Sequence, residues 1–234
     1  MIDFHSHVLP GVDDGAENAD EALAMLRESR RQGVEIVCAT PHFYADEEDP
    51  RSFLQRRSKA WGDLRRAMEP DGIWPELRLG AEVLYFPGMS VSEELRSLCL
   101  EGTPLLLIEP PMAPWTETML EEIEECGANL RCVPVIAHVD RYMRMLEDDT
   151  LLDRALRRRV LIQFNASAFL RGGFREKALA RLRAGQIHFL GSDCHDMSQR
   201  RPNLGDAAEA IREEGLEKLR QRLNDRSCRA LGVR

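Results

Sequence analysis

No stretch of this 234-residue chain is apolar for the roughly eighteen residues that a membrane span needs, and no early apolar region follows a basic start. Neither insertion into a membrane nor export is expected. The six cysteines, Cys38, Cys99, Cys126, Cys132, Cys194 and Cys228, include no Cys-x-x-Cys pair. A disulfide framework and a zinc–thiolate site are therefore not expected, and reduced thiols point to the cytoplasm. Positive charge is scarce: 32 basic residues stand against 40 acidic ones, a net charge of −8. Aromatic residues make up only 6%. With no basic or aromatic stripe, neither nucleic acid nor an anionic membrane is an expected partner. Low-complexity segments, internal repeats and dividing linkers are also lacking. A single domain over residues 1–234 is expected, since a chain of this length can bury a full core.

What is present is alternation. Short apolar runs at 1–4, 34–39, 77–83, 105–109, 133–137, 160–164 and 187–190 read as strands. Helix-period segments lie between them at 17–32, 52–68, 92–100, 116–128, 150–158 and 175–184, with closing helices across 206–231. Strands apolar on both faces and alternating with helices imply an α/β fold with a parallel sheet covered on both sides. Seven such units favour a barrel over an open sheet.

In parallel α/β barrels the chemistry sits where strands end. The first strand runs into His5 and His7, with Asp14 in the loop beyond; the second ends at His42 and the third contains Glu82. The fourth ends at Glu109, the fifth at His138 and Arg141, the sixth at Asn165, and the seventh at Asp193 and His195. One histidine at a strand end is ordinarily a hydrogen-bonded structural residue, but five of the six histidines stand there. His188, inside the seventh strand, is the exception and reads as structural. Five imidazoles and four carboxylates without a thiolate suit manganese, iron, zinc or cobalt. Nine ligands are too many for one ion and suit two or three, with Glu82 placed to bridge. Such a site would trap an anion within an acidic protein, and Arg141 and Arg201 could grip phosphate oxygens bidentately.

The stretches HSHVLPGVDDG, ATPHFY, GAEV, LLIEPP, AHVDRY, NASA and SDCHD run from Met1 to about Asn203. Together they resemble the polymerase and histidinol phosphatase (PHP) superfamily. Within it they are most similar to the manganese-dependent tyrosine phosphatases of bacterial capsule and exopolysaccharide operons. The resemblance implies a distorted (β/α)7 barrel of the PHP type. It also implies a metal-dependent protein-tyrosine phosphatase acting on the tyrosine-rich tail of a bacterial tyrosine kinase that controls capsule or exopolysaccharide synthesis. It implies two or three divalent ions, manganese foremost, and a metal-bound hydroxide attacking phosphorus. His5, His7, Glu82 and Asp193 would hold the first ion, Glu82, Glu109 and His138 the second, and Asp14, His42 and His195 the third. Arg141 and Arg201 match the phosphate-binding arginines. Asp140 stands where Glu is more usual and Asn203 where a second Pro is common; neither is an expected ligand. Room is left for a homo-oligomer.

Other readings compete. A small phosphomonoester such as histidinol phosphate would suit the same metals, and a degenerate barrel could serve as a non-catalytic scaffold, though here no ligand is lost. Phe43, Tyr44, Tyr85, Phe86 and Trp115 flank the mouth and fit either an aromatic rim for a tyrosine-bearing peptide or ordinary loop packing. Asp14, Asp196 and a metal-bound water compete as general acid. Finally, Cys194 to Arg200 spells Cys-x5-Arg, the spacing of thiolate phosphatases, but the loop holds no glycine and Asp193 would raise the thiol pKa. A Cys194→Ser variant is expected to keep most activity while a chelator abolishes it; the opposite pattern would replace the metal chemistry with thiolate chemistry.

Overall fold

A computed structural model describes residues 1–70, 72–143, 150–157, 159–170 and 172–233. The strands are β1 Ile2–Ser6, β2 Ile36–Ala39, β3 His42–Phe43, β4 Glu76–Leu79, β5 Glu82–Leu84, β6 Leu105–Glu109, β7 Val133–Ile136, β8 Leu161–Asn165 and β9 Phe189–Gly191. The helices are α1 Ala19–Arg31, α2 Pro50–Ala67, α3 Glu117–Asn129, α4 Val139–Tyr142, α5 Thr150–Arg157, α6 Gly172–Arg183, α7 Leu204–Glu213 and α8 Glu217–Leu231. Every strand pairing is parallel, in the orders β1-β2-β4 and β3-β5-β6-β7-β8-β9. Together the strands make a curled parallel sheet in an α/β fold. No helix among the described residues is long and apolar enough to cross a membrane.

Two sequence expectations change. The run at 77–83 is two strands, because the chain breaks at Gly80-Ala81 much as it breaks between β2 and β3 at Thr40-Pro41. Proline has no N–H for a ladder, so pairing resumes one step on: Gly80 N–H bonds the Ala39 carbonyl at 2.8 Å and Glu82 N–H the Pro41 carbonyl at 3.0 Å. Each break delivers a ligand, His42 or Glu82, to the first position of a new strand. The expected α-helix at 92–100 is instead a 3-10 turn over Glu93–Leu98. Its buried residues Leu95 and Leu98 lie three apart, the repeat of that tighter helix. Lastly, α5 is described to Arg157, and residue 158 of the expected helix lies outside the described residues.

Strand alternation sorts the core into two faces. Leu106 and Ile108 join the larger apolar cluster under the helices, whereas Leu105 and Leu107 join a smaller one with Phe4, Ile36, Cys38, Val135 and Phe189. Glu109 follows in phase with Leu105 and Leu107, so the smaller cluster lies on the ligand-bearing face. Phe4 and Phe189 stack there with ring centroids 3.9 Å apart. A bulge in β1, between the pairs Asp3–Val37 and Ser6–Ala39, lets the neighbours Phe4 and His5 both turn to that face.

The first and last strands also meet. Asp193 N–H bonds the His5 carbonyl at 2.8 Å and His7 N–H the Cys194 carbonyl at 2.9 Å. Gly191 permits the approach: a Cβ there would stand 2.5 Å from the Cβ of His5.

His188 Nδ1 accepts the backbone N–H of Ile162 at 3.1 Å, which requires an unprotonated nitrogen. Burial, helped by Arg226, holds its pKa down at about 4. Below the unfolded value near 6.5 the unfolded chain binds a proton that the folded chain refuses, so stability falls as pH drops from about 6.5 to 4. In urea unfolding, wild type is expected to lose roughly 2 kcal/mol more than His188→Gln between pH 7 and pH 4.5. Equal losses would show that His188 is not a determinant of acid stability.

Candidate metal centre

Nine donor side chains meet at the C-terminal ends of the strands, around one carboxylate. Glu82 is wholly buried. Its Oε2 lies 3.0 Å from His5 Nε2 and 3.3 Å from both His7 Nε2 and His42 Nδ1, and its Oε1 lies 2.8 Å from His138 Nε2. The parallel register sets His42 opposite Glu82 in the ladder. Glu109 closes one side, 3.2 Å from His138 Nε2 and 3.6 Å from His42 Nδ1. Asp193 closes the other, 3.7 Å from His5 Nε2 and 3.6 Å from His7 Nε2. Asp14 reaches down from the mouth, 3.5 Å from His42 and 3.4 Å from His195, with 64% of its side chain exposed.

Three groups have the spacing to hold a cation: His5, His7 and Asp193; His42, Glu82 and Glu109; and His7, Asp14, His42 and His195. All nine expected ligands are brought together, with overlaps. His7 stands between two groups, and His138 abuts Glu82 and Glu109 from the side.

Burial opposes charge at Glu82, Asp193, His7 and His195, and neighbours decide the outcome. It works against the carboxylate of Glu82, yet His5 and His138 hold the pKa well below the usual range. Asp193 is held low against burial by His5 and Arg141. Burial disfavours a charged His7, but Asp13 and Glu82 raise its pKa to about 10. For His195, burial and the charge of His7 push it down to about 3. His42 Nδ1, Glu82 Oε1, His138 Nε2 and His195 Nε2 are buried without a well-directed hydrogen bond. Donors that crowd together yet do not bond one another fit shared cations better than a hydrogen-bond network. The all nitrogen-and-oxygen donor set fits manganese, iron, zinc or cobalt.

The backbone is bent to serve the cluster. His138 and Asp193 have φ of 28° and 53°, a region non-glycine residues seldom occupy and one that marks functional sites.

Arg141 forms an ion pair with Asp193. Arg201 does not join the cluster, contrary to the sequence expectation: its guanidinium pairs with Asp206 at 2.8 Å and lies 3.6 Å from Glu28. Arg200 takes the place instead, 2.9 Å from Asp193 and 3.7 Å from Asp14. The Asp196 carboxylate explains the one-residue shift. It accepts the N–H groups of Ser198, Gln199 and Arg200, curling the loop so that Arg200 folds inward and the next side chain leaves on the other side. Arg141, Arg200, Asp140, Asn165, Asn203 and Met112 line a hollow of about 460 Å3 beside the cluster.

The remaining sequence expectations divide. Cys194 is buried in the cluster beneath the helices, and burial, aided by Asp3, holds its thiol far above the usual range, so it cannot act as a nucleophile. Phe43 and Trp115 are core, packed on Phe53 and Tyr142. Tyr44 stays at the mouth, stacked 5.3 Å from His42.

Over residues 1–229 the chain matches the family model for capsular polysaccharide synthesis, CpsB/CapC. The chain belongs to that family. Its relatives include the tyrosine-protein phosphatase CpsB of Streptococcus agalactiae, 28% identical over an alignment of 235 positions that covers 94% of each chain. The tyrosine-protein phosphatase YwqE of Bacillus subtilis is 27% identical, covering 92% of this chain and 85% of its own. Among solved structures, one from work on YwqE of Bacillus subtilis and CpsB of Streptococcus pneumoniae, called metal-dependent tyrosine phosphatases, superposes with a TM-score of 0.85 at 24% identity, covering 99% of this chain and 94% of that one. A TatD-like protein of Archaeoglobus fulgidus shares the fold more distantly, with a TM-score of 0.52 at 16% identity over 96% of this chain and all of that one.

Sequence reasoning within this CpsB/CapC chain passed over the residues that aim the ligands. Asp13 Oδ2 lies 2.7 Å from His7 Nδ1 and accepts the His42 N–H at 2.9 Å. Gln163 Oε1 lies 3.2 Å from His5 Nδ1 and accepts the His138 N–H at 2.6 Å. Asp13 carried a signal, since it adjoins Asp14 in a Gly-bounded loop. Gln163 did not, being a polar residue inside an apolar run. A Cβ on Gly15 would stand 2.2 Å from the His7 carbonyl, which keeps that loop folded against the ligand. Replacing Asp13 with alanine is expected to weaken metal binding by roughly 10- to 100-fold while the chain stays folded; unchanged affinity by metal titration would remove Asp13 from the centre.

Proposed function

We propose that this chain is a metal-dependent protein-tyrosine phosphatase that dephosphorylates the tyrosine-rich tail of a bacterial tyrosine kinase controlling capsule or exopolysaccharide synthesis. The observation that carries this reading is a nine-donor cluster opening directly onto a hollow walled by two arginines. Family membership and relatives that are tyrosine-protein phosphatases support it. His5, His7 and Asp193, His42, Glu82 and Glu109, and Asp14 with His195 would hold two or three ions, manganese foremost, with His138 completing the set. When bound, such ions supply Lewis-acid charge and activate water. Hydrogen bonds between the end of β1 and the residues just after β9 support reading the curled sheet as a distorted (β/α)7 barrel of the PHP type and residues 1–234 as one domain. Six unpaired thiols suit a reducing compartment, the cytoplasm.

The chain's own residues supply orientation and charge. Arg141 and Arg200 converge from opposite sides on Asp193, so a phosphoryl group beside Asp193 would meet both planar guanidinium forks, one on each flank. A phenolate with a pKa near 10 leaves with less protonation than an alkoxide. Asp196 is unsuited to donate that proton: burial opposes its charge, but three backbone N–H groups keep it ionised. The exposed Asp14 and the half-buried Tyr44 leave the mouth open to a tail segment.

A phosphotyrosine peptide is expected to turn over well above histidinol phosphate, and an aryl above an alkyl phosphate. Arg200→Ala is expected to lower kcat/KM on the order of 100-fold, with Arg201→Ala within a few-fold of wild type. Preference for histidinol phosphate would move the substrate to small metabolites. A neutral Arg200→Ala beside a damaging Arg201→Ala would reverse the arginine assignment.

A further inference from the structure

At the other end of the sheet, two cysteines unconnected with the metal cluster touch. Cys99 ends the 3-10 turn before β6, and Cys132 immediately precedes β7. The Cys99 thiol lies 3.6 Å from the Pro104 carbonyl, the same oxygen that accepts the Val133 N–H at 2.7 Å. β6 and β7 pair directly above, Leu105 opposite Val133. That ladder brings the two cysteines together, their sulfurs close enough to influence each other, while the Cys132 thiol donates to the Cys126 carbonyl at 3.3 Å.

Each thiol also has its own route to solvent. Cys99 borders a shallow surface hollow with Arg96, Thr103 and Arg131. Cys132, though buried at 5% exposure, borders a second hollow of about 780 Å3 with Val160 and His188. Arg131, just before Cys132, has a φ of 55°, a left-handed turn where the chain enters β7.

The other four cysteines are differently placed. Cys126 spends its thiol on the Glu122 carbonyl of its own helix at 3.4 Å. Cys38 and Cys194 are wholly buried. Cys228 lies on α8 beside Asn224.

We propose that Cys99 and Cys132 are a peroxide-sensitive dithiol that closes to a reversible disulfide, a modification site separate from the phosphatase centre. The Cys132 sulfur attacks the peroxide oxygen; the O–O bond breaks, leaving Cys132 as a sulfenic acid and releasing one oxygen as water or alcohol once protonated. The Cys99 sulfur then attacks the Cys132 sulfur. An S–S bond forms, the S–O bond breaks, and the hydroxide leaves as water with the proton from Cys99. Two thiols lose two electrons and the peroxide gains them. Cys99 and the charge of Arg96 lower the Cys132 pKa against the effect of burial, which favours the thiolate there and makes it the attacking sulfur.

Hydrogen peroxide is the probe, applied to the folded chain, which is then denatured and its remaining thiols titrated by alkylation. Titratable thiols are expected to fall from six to four, with peptide mapping linking Cys99 to Cys132 and dithiothreitol restoring both. In Cys99→Ser, a dimedone adduct is expected at Cys132; in Cys132→Ser, no adduct at Cys99. A disulfide between any other pair would overturn the proposal. So would irreversible sulfinic acid at Cys132, or six thiols surviving peroxide that oxidises a control dithiol.

Discussion

A single carboxylate, Glu82, is the constraint around which this molecule is built. It is wholly buried, and four imidazoles crowd its two oxygens. An ionised carboxyl in such a place is tolerable only when opposite charge surrounds it closely. The strand breaks, the bulge in β1 and the left-handed backbone at His138 and Asp193 are all ways of delivering that surround. So are the glycines that let His5 and His7 come close. Each is locally unfavourable, and each is held by the paired strands and the apolar floor beneath.

The same crowding makes the centre suited to phosphate. Histidines, carboxylates and two arginines alternate within a few ångströms, so charge can be redistributed over short distances without moving the backbone. Asp193 is the meeting point, since it faces His5 and His7 on one side and both arginines on the other. A group that would neutralise either side would free the other, which couples cation binding to anion binding in one small volume. Outside this volume lie Asp13 and Gln163, which touch no substrate in this reading but fix ring orientation.

The opposite end of the sheet has a different character. There the ladder between β6 and β7 juxtaposes two thiols rather than two ligands. One parallel pairing thus presents two candidate metal ligands at its C-terminal end, Glu109 and His138, and a thiol contact at its N-terminal end.

The sequence alone carried the alternation of strands and helices, because apolar runs and helix periods are local. It carried the nine donors too, because strand ends are where a parallel α/β fold puts its chemistry. Motif spacing led to the family, since those stretches are long enough to be specific. Tertiary structure alone decided the rest. Arg200 replaced Arg201 because a single carboxylate, Asp196, sets the curl of the loop, and a shift of one residue turns a side chain to the other side. Phe43 and Trp115 proved to be core because loop and core aromatics look alike until their neighbours are known. Gln163 and the Cys99–Cys132 contact stayed hidden because their partners are distant in the chain. Local composition fixes which side chains are available; only the pairing of strands fixes which of them touch.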